Sequence, residues 1–135
     1  KNAVFISRGD GSGTHEKEKD IWKGEGIAQK GSWYIETGQG MGEVITMATE
    51  RRGYTLADRG TYIAYRKKTD LATLFEGEKG LFNPYGVIAV NPKKHPHVKY
   101  DLAMKFIDFV TSMEGQGIIA NFKINEEQVF FPNAK

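Results

Sequence analysis

The sequence has no cysteine among its 135 residues, and it has no apolar run of the length that crosses a bilayer. The absence of cysteine excludes a disulfide framework and any thiolate chemistry, whether as a nucleophile or as a metal ligand. A large excess of one charge sign is also lacking, because the formal net charge is only +2. Proteins that bind nucleic acid carry clustered basic faces, so we expect no nucleic-acid partner. The chain opens at Lys1 without a signal-type apolar segment, which indicates a mature form or a fragment.

What the sequence does contain is typical of one folded globular body. Hydrophobic residues make up 39% and charged residues 27%, without a disordered or fibrous bias. Strands are predicted at residues 4–6, 33–35, 71–75 and 85–90, where β-branched and aromatic residues cluster. Helices are predicted at residues 14–23, from 41 to near 53, 58–64, from about 100 onward, and 114–122. This alternation predicts an α/β layered architecture.

The stretch of residues 7–14, SRGDGSGT, is the most informative feature of the sequence. Its glycines let several backbone N–H groups converge, and the helix that follows presents unpaired donors and a positive dipole end. Ser7, Ser12 and Thr14 add neutral hydroxyl donors, and Arg8 adds a planar fork for two oxygens. These groups suit a tetrahedral dianion. The alternative is a simple strand-to-helix turn with a capped helix, and the pattern leaves both interpretations open.

Other chemistry is poorly supported by the sequence. A nucleotide-binding P-loop is disfavoured because Gly13 is followed by Thr14 and His15, where that motif needs lysine. No two histidines have the i, i+4 spacing of a helical metal pair, so His15 is predicted to be a solvated surface residue. The carboxylates of residues 16–20 are likewise predicted to form a solvated helix face. We therefore predict no catalytic residue, no metal site and no cofactor.

The pair Asp58 and Arg59 is a second candidate for anion contact. Asp58 is predicted to cap a short helix, which could turn the Arg59 guanidinium into a pocket and fix it there. The alternative is a surface capping pair. The local pattern does not decide between these interpretations.

Three motifs in one order resemble the tungstate-binding proteins of ABC transporters. They are SRGDGSGTHE at residues 7–16, GQGMG at 38–42 and YTLADRGTY at 54–62. The later segment YGVIAVNP at residues 85–92, with the helices that follow, is similar to the chain return of type II periplasmic binding proteins. The resemblance spans nearly the whole chain.

The resemblance implies a receptor of two α/β lobes with the anion held at the hinge between them. Residues 1–84 then correspond to the second, anion-binding lobe. Residues 85–135 correspond to the return crossing strand and to C-terminal helices of the first lobe. The family begins with a first lobe that carries a threonine- and serine-rich loop, and no such segment precedes Lys1. We therefore expect most of the N-terminal lobe to be missing or supplied by a second chain, and the exposed helices to favour self-association.

The resemblance also implies a function, which is reversible capture of tungstate or molybdate for delivery to an ABC transporter permease. The expected location is the periplasm, or the outside of the cell membrane through a lipid anchor. The expected oxyanion ligands are Ser7, Arg8, Ser12, Thr14 and Arg59. One alternative is the ligand-sensing effector domain of a transcription regulator, which would need a DNA-binding segment upstream. Another is an enzyme acting on phosphate esters, but the sequence offers no base, nucleophile and metal set for it.

Overall fold

The computed structural model describes residues 3–77 and 79–134, so Lys1 lies outside the described part. The chain divides into two compact units, Lys1–Phe82 and Asn83–Lys135. The assignment of these units to two lobes stays a prediction. The first unit contains β1 (Phe5–Ser7), α1 (Gly13–Gly24), β2 (Tyr34–Glu36), α2 (Met41–Arg51), α3 (Arg59–Tyr65) and 3-10 turns at Arg66–Lys68 and Lys79–Leu81. The second unit contains α4 (Tyr100–Thr111), α5 (Met113–Asn121), β3 (Lys123–Ile124) and β4 (Glu127–Gln128).

Strand β1 lies at the centre of a small parallel arrangement. On one side it pairs with β2, with Phe5 opposite Tyr34. On the other side Phe5 forms a parallel bridge with Tyr54, and the Ile6 N–H donates to the Tyr54 carbonyl at 2.8 Å. Because the three segments are parallel, their carboxyl ends meet at one edge. The chain leaves this edge three times, toward α1, α2 and α3.

The two faces of this sheet are covered by different helices. Side chains alternate along a strand, so Phe5 and Ile6 point to opposite faces. On the first face Phe5 packs edge-on against Trp22 of α1, with ring centroids 5.1 Å apart. On the second face Ile6 joins a buried core with α2. The α2 residues of this core are Met41, Val44, Ile45 and Ala48, which confirms the predicted apolar face.

The second unit has helices with little buried apolar surface. The tight corner between α4 and α5 requires Gly115, because a Cβ there would overlap the Phe109 carbonyl oxygen. Ser112 caps α5 by accepting the Gly115 N–H at 3.1 Å. Among the described residues of this unit, Val129 is the buried hydrophobic residue and α4 buries none. No helix in the described part of the chain is long and apolar enough to cross a membrane.

Two of the predicted strands are wrong. Residues 71–75 and 85–90 have no regular secondary structure, because no described segment pairs with either of them. β-propensity measures how well a side chain fits a pleated, half-buried surface, and it does not supply a partner strand. The structure also contains an unpredicted hairpin of β3 and β4, in which Asn125 and Glu126 have φ of 50° and 68°. Two successive positive φ angles indicate a type I′ turn. Asn125 is the residue in the sequence that favours such a turn.

Candidate oxyanion-binding loop

The first glycine loop, which we define as residues 8–14, connects the carboxyl end of β1 to α1. Gly9 and Gly11 have φ of 61° and 70°, a region that glycine adopts without a steric penalty. A Cβ on Gly9 would lie 2.6 Å from the Cβ of Glu36, so the loop lies tightly against the end of β2. The loop is therefore fixed at the edge where the parallel segments end, which is where α/β sheets bind ligands.

The second glycine segment, residues 37–40, is bonded directly to the first loop. The Thr37 N–H donates to the Ser7 carbonyl at 3.1 Å, and the Gly38 N–H donates to the Arg8 carbonyl at 2.8 Å. Both bonds join main chain to main chain. The structure thus brings together two of the three motifs that carry the family resemblance.

Arg8 is held in place by a carboxylate two residues away. Its Nε and Nη2 atoms donate to Asp10 Oδ2 at 3.1 and 2.6 Å. Hydrogen bonding from Ser12 and then from the Arg8 guanidinium holds the pKa of Asp10 well below its usual range. A guanidinium has five N–H donors, and Asp10 accepts two of them. Arg8 therefore has a fixed orientation and keeps donors for a second anionic group.

Within the described part of the chain, several amides of the loop donate to the protein itself, whereas the two at the start of α1 do not. The inward bonds are Gly9 N–H to Ser7 Oγ at 3.2 Å, Gly11 N–H to His15 Nδ1 at 2.9 Å and Ser12 N–H to Asp10 Oδ1 at 3.1 Å. The Gly13 and Thr14 amides, at the first two positions of α1, donate to no acceptor among residues 3–77 and 79–134. Unpaired amides at a helix N-terminus are suited to an anion.

Ser12 and Ser7 have different positions in this loop. Ser12 is the N-cap of α1, and its Oγ accepts the His15 N–H at 3.4 Å. Ser7 is fully buried, and its Oγ accepts the Gly9 N–H, so the side chain lies behind the loop. Direct contact between Ser7 and an anion requires the loop to move. That contact stays a prediction, whereas support of the loop by Ser7 is what the geometry shows.

The other two helix N-termini at this edge each have a carboxylate. On α2, the Glu43 carboxylate lies over the N-cap, since a Cβ on Gly40 would be 2.8 Å from Glu43 Oε2. On α3, which has only seven residues, Asp58 accepts the Thr61 N–H at 2.8 Å, which confirms the predicted cap. A resident carboxylate repels a second anion. The carboxylate at the N-terminus of α1, Asp10, is paired with the Arg8 guanidinium, so this terminus is the best of the three for an oxyanion.

Arg59 begins α3 and pairs with a glutamate. Its Nη1 donates to Glu76 Oε2 at 2.8 Å, and both side chains are exposed. The partner of Arg59 in this pair is thus Glu76 and not the neighbouring Asp58. Arg59 lies at the same edge of the sheet as Arg8. That the two arginines bind one anion together stays a prediction.

Two polar residues of α1 are buried, contrary to the predicted solvated face. His15 is 7% exposed and Glu18 is 3% exposed. The Glu18 carboxylate accepts the Tyr34 hydroxyl at 2.7 Å and Trp22 Nε1 at 3.2 Å, which compensates for its burial. Burial, and then the Glu18 carboxylate, raise the pKa of Tyr34 to about 12. The available signal was the i, i+3, i+7 spacing of His15, Glu18 and Trp22, which places all three on one helix face.

The sequence profile of the PBP superfamily domain matches residues 1–114. The chain belongs to this superfamily of periplasmic binding proteins. Its α/β fold with a glycine loop at the strand ends is in agreement with that membership.

Individual relatives of this PBP-superfamily chain are transport proteins. The tungstate-binding protein TupA of Campylobacter jejuni is 47% identical over an alignment of 137 positions, which covers 98% of this chain and 51% of the relative. The tungstate ABC transporter structure from Geobacter sulfurreducens has 68% identity and a TM-score of 0.77, over 89% of this chain and 51% of that chain. The tungstate-binding protein structure from Desulfovibrio alaskensis has 48% identity and a TM-score of 0.82, over 99% and 56%. The chain thus spans about half the length of these relatives.

Proposed function

We propose that this chain is the anion-contacting part of a solute-binding protein that captures tungstate or molybdate and delivers it to an ABC transporter permease. The observation that carries the proposal is the first glycine loop, which combines two unpaired helix amides with an oriented arginine. The names of the relatives support the ligand and the transport role. The same names do not favour the alternative of an effector domain of a transcription regulator.

In the proposed site the anion lies at the N-terminus of α1. The Gly13 and Thr14 amides and the helix dipole stabilise its negative charge, and the Ser12 and Thr14 hydroxyls add neutral donors. The Arg8 N–H groups not bonded to Asp10 contact further oxygens. Arg59 is proposed as a second cation from the neighbouring motif. Every contact is a donor, which suits a fully ionised oxyanion.

Capture is proposed to be reversible, without covalent chemistry, and to take place in the periplasm or in a lipid-anchored form outside the cell membrane. The remaining ligands are proposed to come from the other half of the longer protein or from a second chain. This division assigns residues 1–84 to the anion-binding lobe and residues 85–135 to the other lobe. Discrimination between tungstate and sulfate would then depend on the size of the completed cavity.

Isothermal titration of tungstate, molybdate and sulfate into this chain, and into a version extended upstream to the length of the relatives, tests the proposal. We expect tight tungstate binding by the extended version and weak or no binding by this chain. Arg8→Ala in the extended version should weaken binding at least about tenfold, because a hydrogen bond to a charged group is lost. Arg51→Ala is the matched control, since it removes an exposed positive charge at the far end of α2. Absence of oxyanion binding in both versions would overturn the proposal.

A further inference from the structure

His15 is a buried residue in direct contact with the first glycine loop. It lies at the third position of α1, is 7% exposed, and accepts the Gly11 N–H at Nδ1 over 2.9 Å. An accepting nitrogen carries no proton, so the neutral ring carries its proton on Nε2. The imidazole therefore fixes the backbone of the loop two residues before the open amide of Gly13.

The other side of the ring faces β2. His15 Nε2 lies 3.5 Å from Glu36 Oε1, which is the distance of an ion pair if the ring is charged. It is buried and forms no hydrogen bond within the described residues. The ring is thus held against the end of β2 without a strong polar contact there. Its bond to Gly11 is the specific one.

Comparison of α1 with α2 shows what is unusual about this residue. The third position of a helix commonly holds Glu or Gln, whose side chain reaches back to a backbone N–H before the helix. Helix α2 has Glu43 at this position, and its carboxylate lies close to the N-cap, Gly40. Helix α1 has His15 at the equivalent position, and the ring accepts the N–H of Gly11, the residue before the N-cap, without placing a negative charge there.

We propose that His15 is a positioning residue of the oxyanion site. Its neutral ring holds the Gly11 amide, which keeps the Gly13 and Thr14 amides at the surface, and it places no negative charge beside the bound anion. This inference rests on the proposed function. The residue acts through the loop and does not contact the anion.

Three substitutions separate capping from charge. His15→Gln keeps a neutral acceptor, His15→Glu keeps an acceptor but adds a negative charge, and His15→Leu removes the acceptor while filling the space. The measurement is tungstate titration into the extended protein at neutral pH. We expect the Gln variant to bind within a few-fold of the parent protein, and the Leu variant to bind about tenfold more weakly. The Glu variant should bind most weakly, because a carboxylate beside the site repels the dianion.

A second measurement reports on the loop without any ligand. Hydrogen exchange of the Gly11 amide, followed by NMR, should stay slow in the Gln and Glu variants and become fast in the Leu variant. A Glu variant with a protected Gly11 amide and weak tungstate binding supports both parts of the proposal. If the Leu variant does not fold, the comparison of Gln with Glu decides alone.

Two results would overturn the inference. One is a Glu variant that binds tungstate as tightly as the parent protein. The other is a Leu variant with fast Gly11 exchange and unchanged affinity. Failure of the proposed function would give a different result. The parent protein would bind no oxyanion, while the Gly11 amide would still exchange slowly with an acceptor at position 15 and fast without one.

Discussion

The two units of the chain differ in what they do with their apolar residues. In Lys1–Phe82, the side chains of Ile6, Val44 and Ile45 are almost completely buried around one face of the sheet. In Asn83–Lys135, Met113 is 95% exposed and Ile88 is 90% exposed. Yet α4 has a clear apolar stripe, as the sequence predicts. An amphipathic pattern therefore predicts a helix and its apolar face, but it does not predict which segment packs against that face.

The largest expected effect is on the core of the first unit. Ile45→Ala should reduce the free energy of unfolding by about 2–5 kcal/mol, because it removes a buried side chain and leaves a cavity. Phe106→Ala on α4, where the ring is 59% exposed, should change it by less than about 0.5 kcal/mol. Guanidinium denaturation followed by fluorescence suits the first variant, since both tryptophans lie in the first unit. Hydrogen exchange of the α4 amides measures the effect of Phe106→Ala. If both substitutions lowered stability by the same amount, the contrast between the two units would be wrong.

The next prediction concerns the uncovered surface of the second unit. Its exposed apolar side chains should make this chain self-associate, so that its mass in analytical ultracentrifugation rises with concentration. Charged substitutions Phe106→Lys and Met113→Lys should shift the population toward the monomer. Ile27→Lys, at an exposed apolar residue of the first unit, should not. A monomer mass that is independent of concentration contradicts this prediction.

Glycine substitutions should have opposite signs in the two units. Gly9→Ala should destabilise the first unit by more than about 1 kcal/mol, since φ is 61° and the new Cβ would meet Glu36. Gly117→Ala in α5, where a Cβ meets open space, should stabilise the helix by about 0.5–1 kcal/mol. Hydrogen exchange mass spectrometry of each unit measures both changes. If both substitutions destabilised, the second unit would be more tightly packed than the structure shows.

The smallest expected effect is the pH dependence from Asp10. Its folded pKa lies below the unfolded value of about 3.9, so its contribution to stability is present above that pH and is lost as the pH falls through the folded value. Asp10→Asn should therefore lower the denaturation midpoint at neutral pH, with a difference from the parent that shrinks in strong acid. Asp108→Asn, at an exposed position on α4, is the control. A difference that grows in acid would show that the sign is wrong.

Much of the first unit could be predicted because its signals are local. The apolar spacing of α2 and the Asp58 cap depend on residues within one or two helical turns. The glycine loop was also recognisable, and the structure places it at the end of β1. The pairing of Arg8 with Asp10 is also local, but the sequence does not show that this carboxylate orients the guanidinium.

The features that the sequence did not reveal depend on contacts between distant segments. Burial of Glu18 requires the hydroxyl of Tyr34, sixteen residues away, to reach its carboxylate. Burial of Ser7 depends on which face of β1 is covered by α1, and strand alternation alone gives no preference. Residues 85–90 have strand-like composition without a partner among the described residues. The intrinsic preferences of the residues do not determine burial or strand pairing here, because each depends on contact with a second segment of the chain.

The junction between the two glycine segments has a practical consequence for protein engineering. Thr37 and Gly38 reach the first loop through main-chain bonds, so the neighbouring exposed side chain of Gln39 is not needed to hold the loops together. The chain has no native cysteine, so Gln39→Cys would provide a unique thiol beside the candidate site. An environment-sensitive fluorophore attached there would report binding of the proposed oxyanion in a version of the longer protein that has no other cysteine.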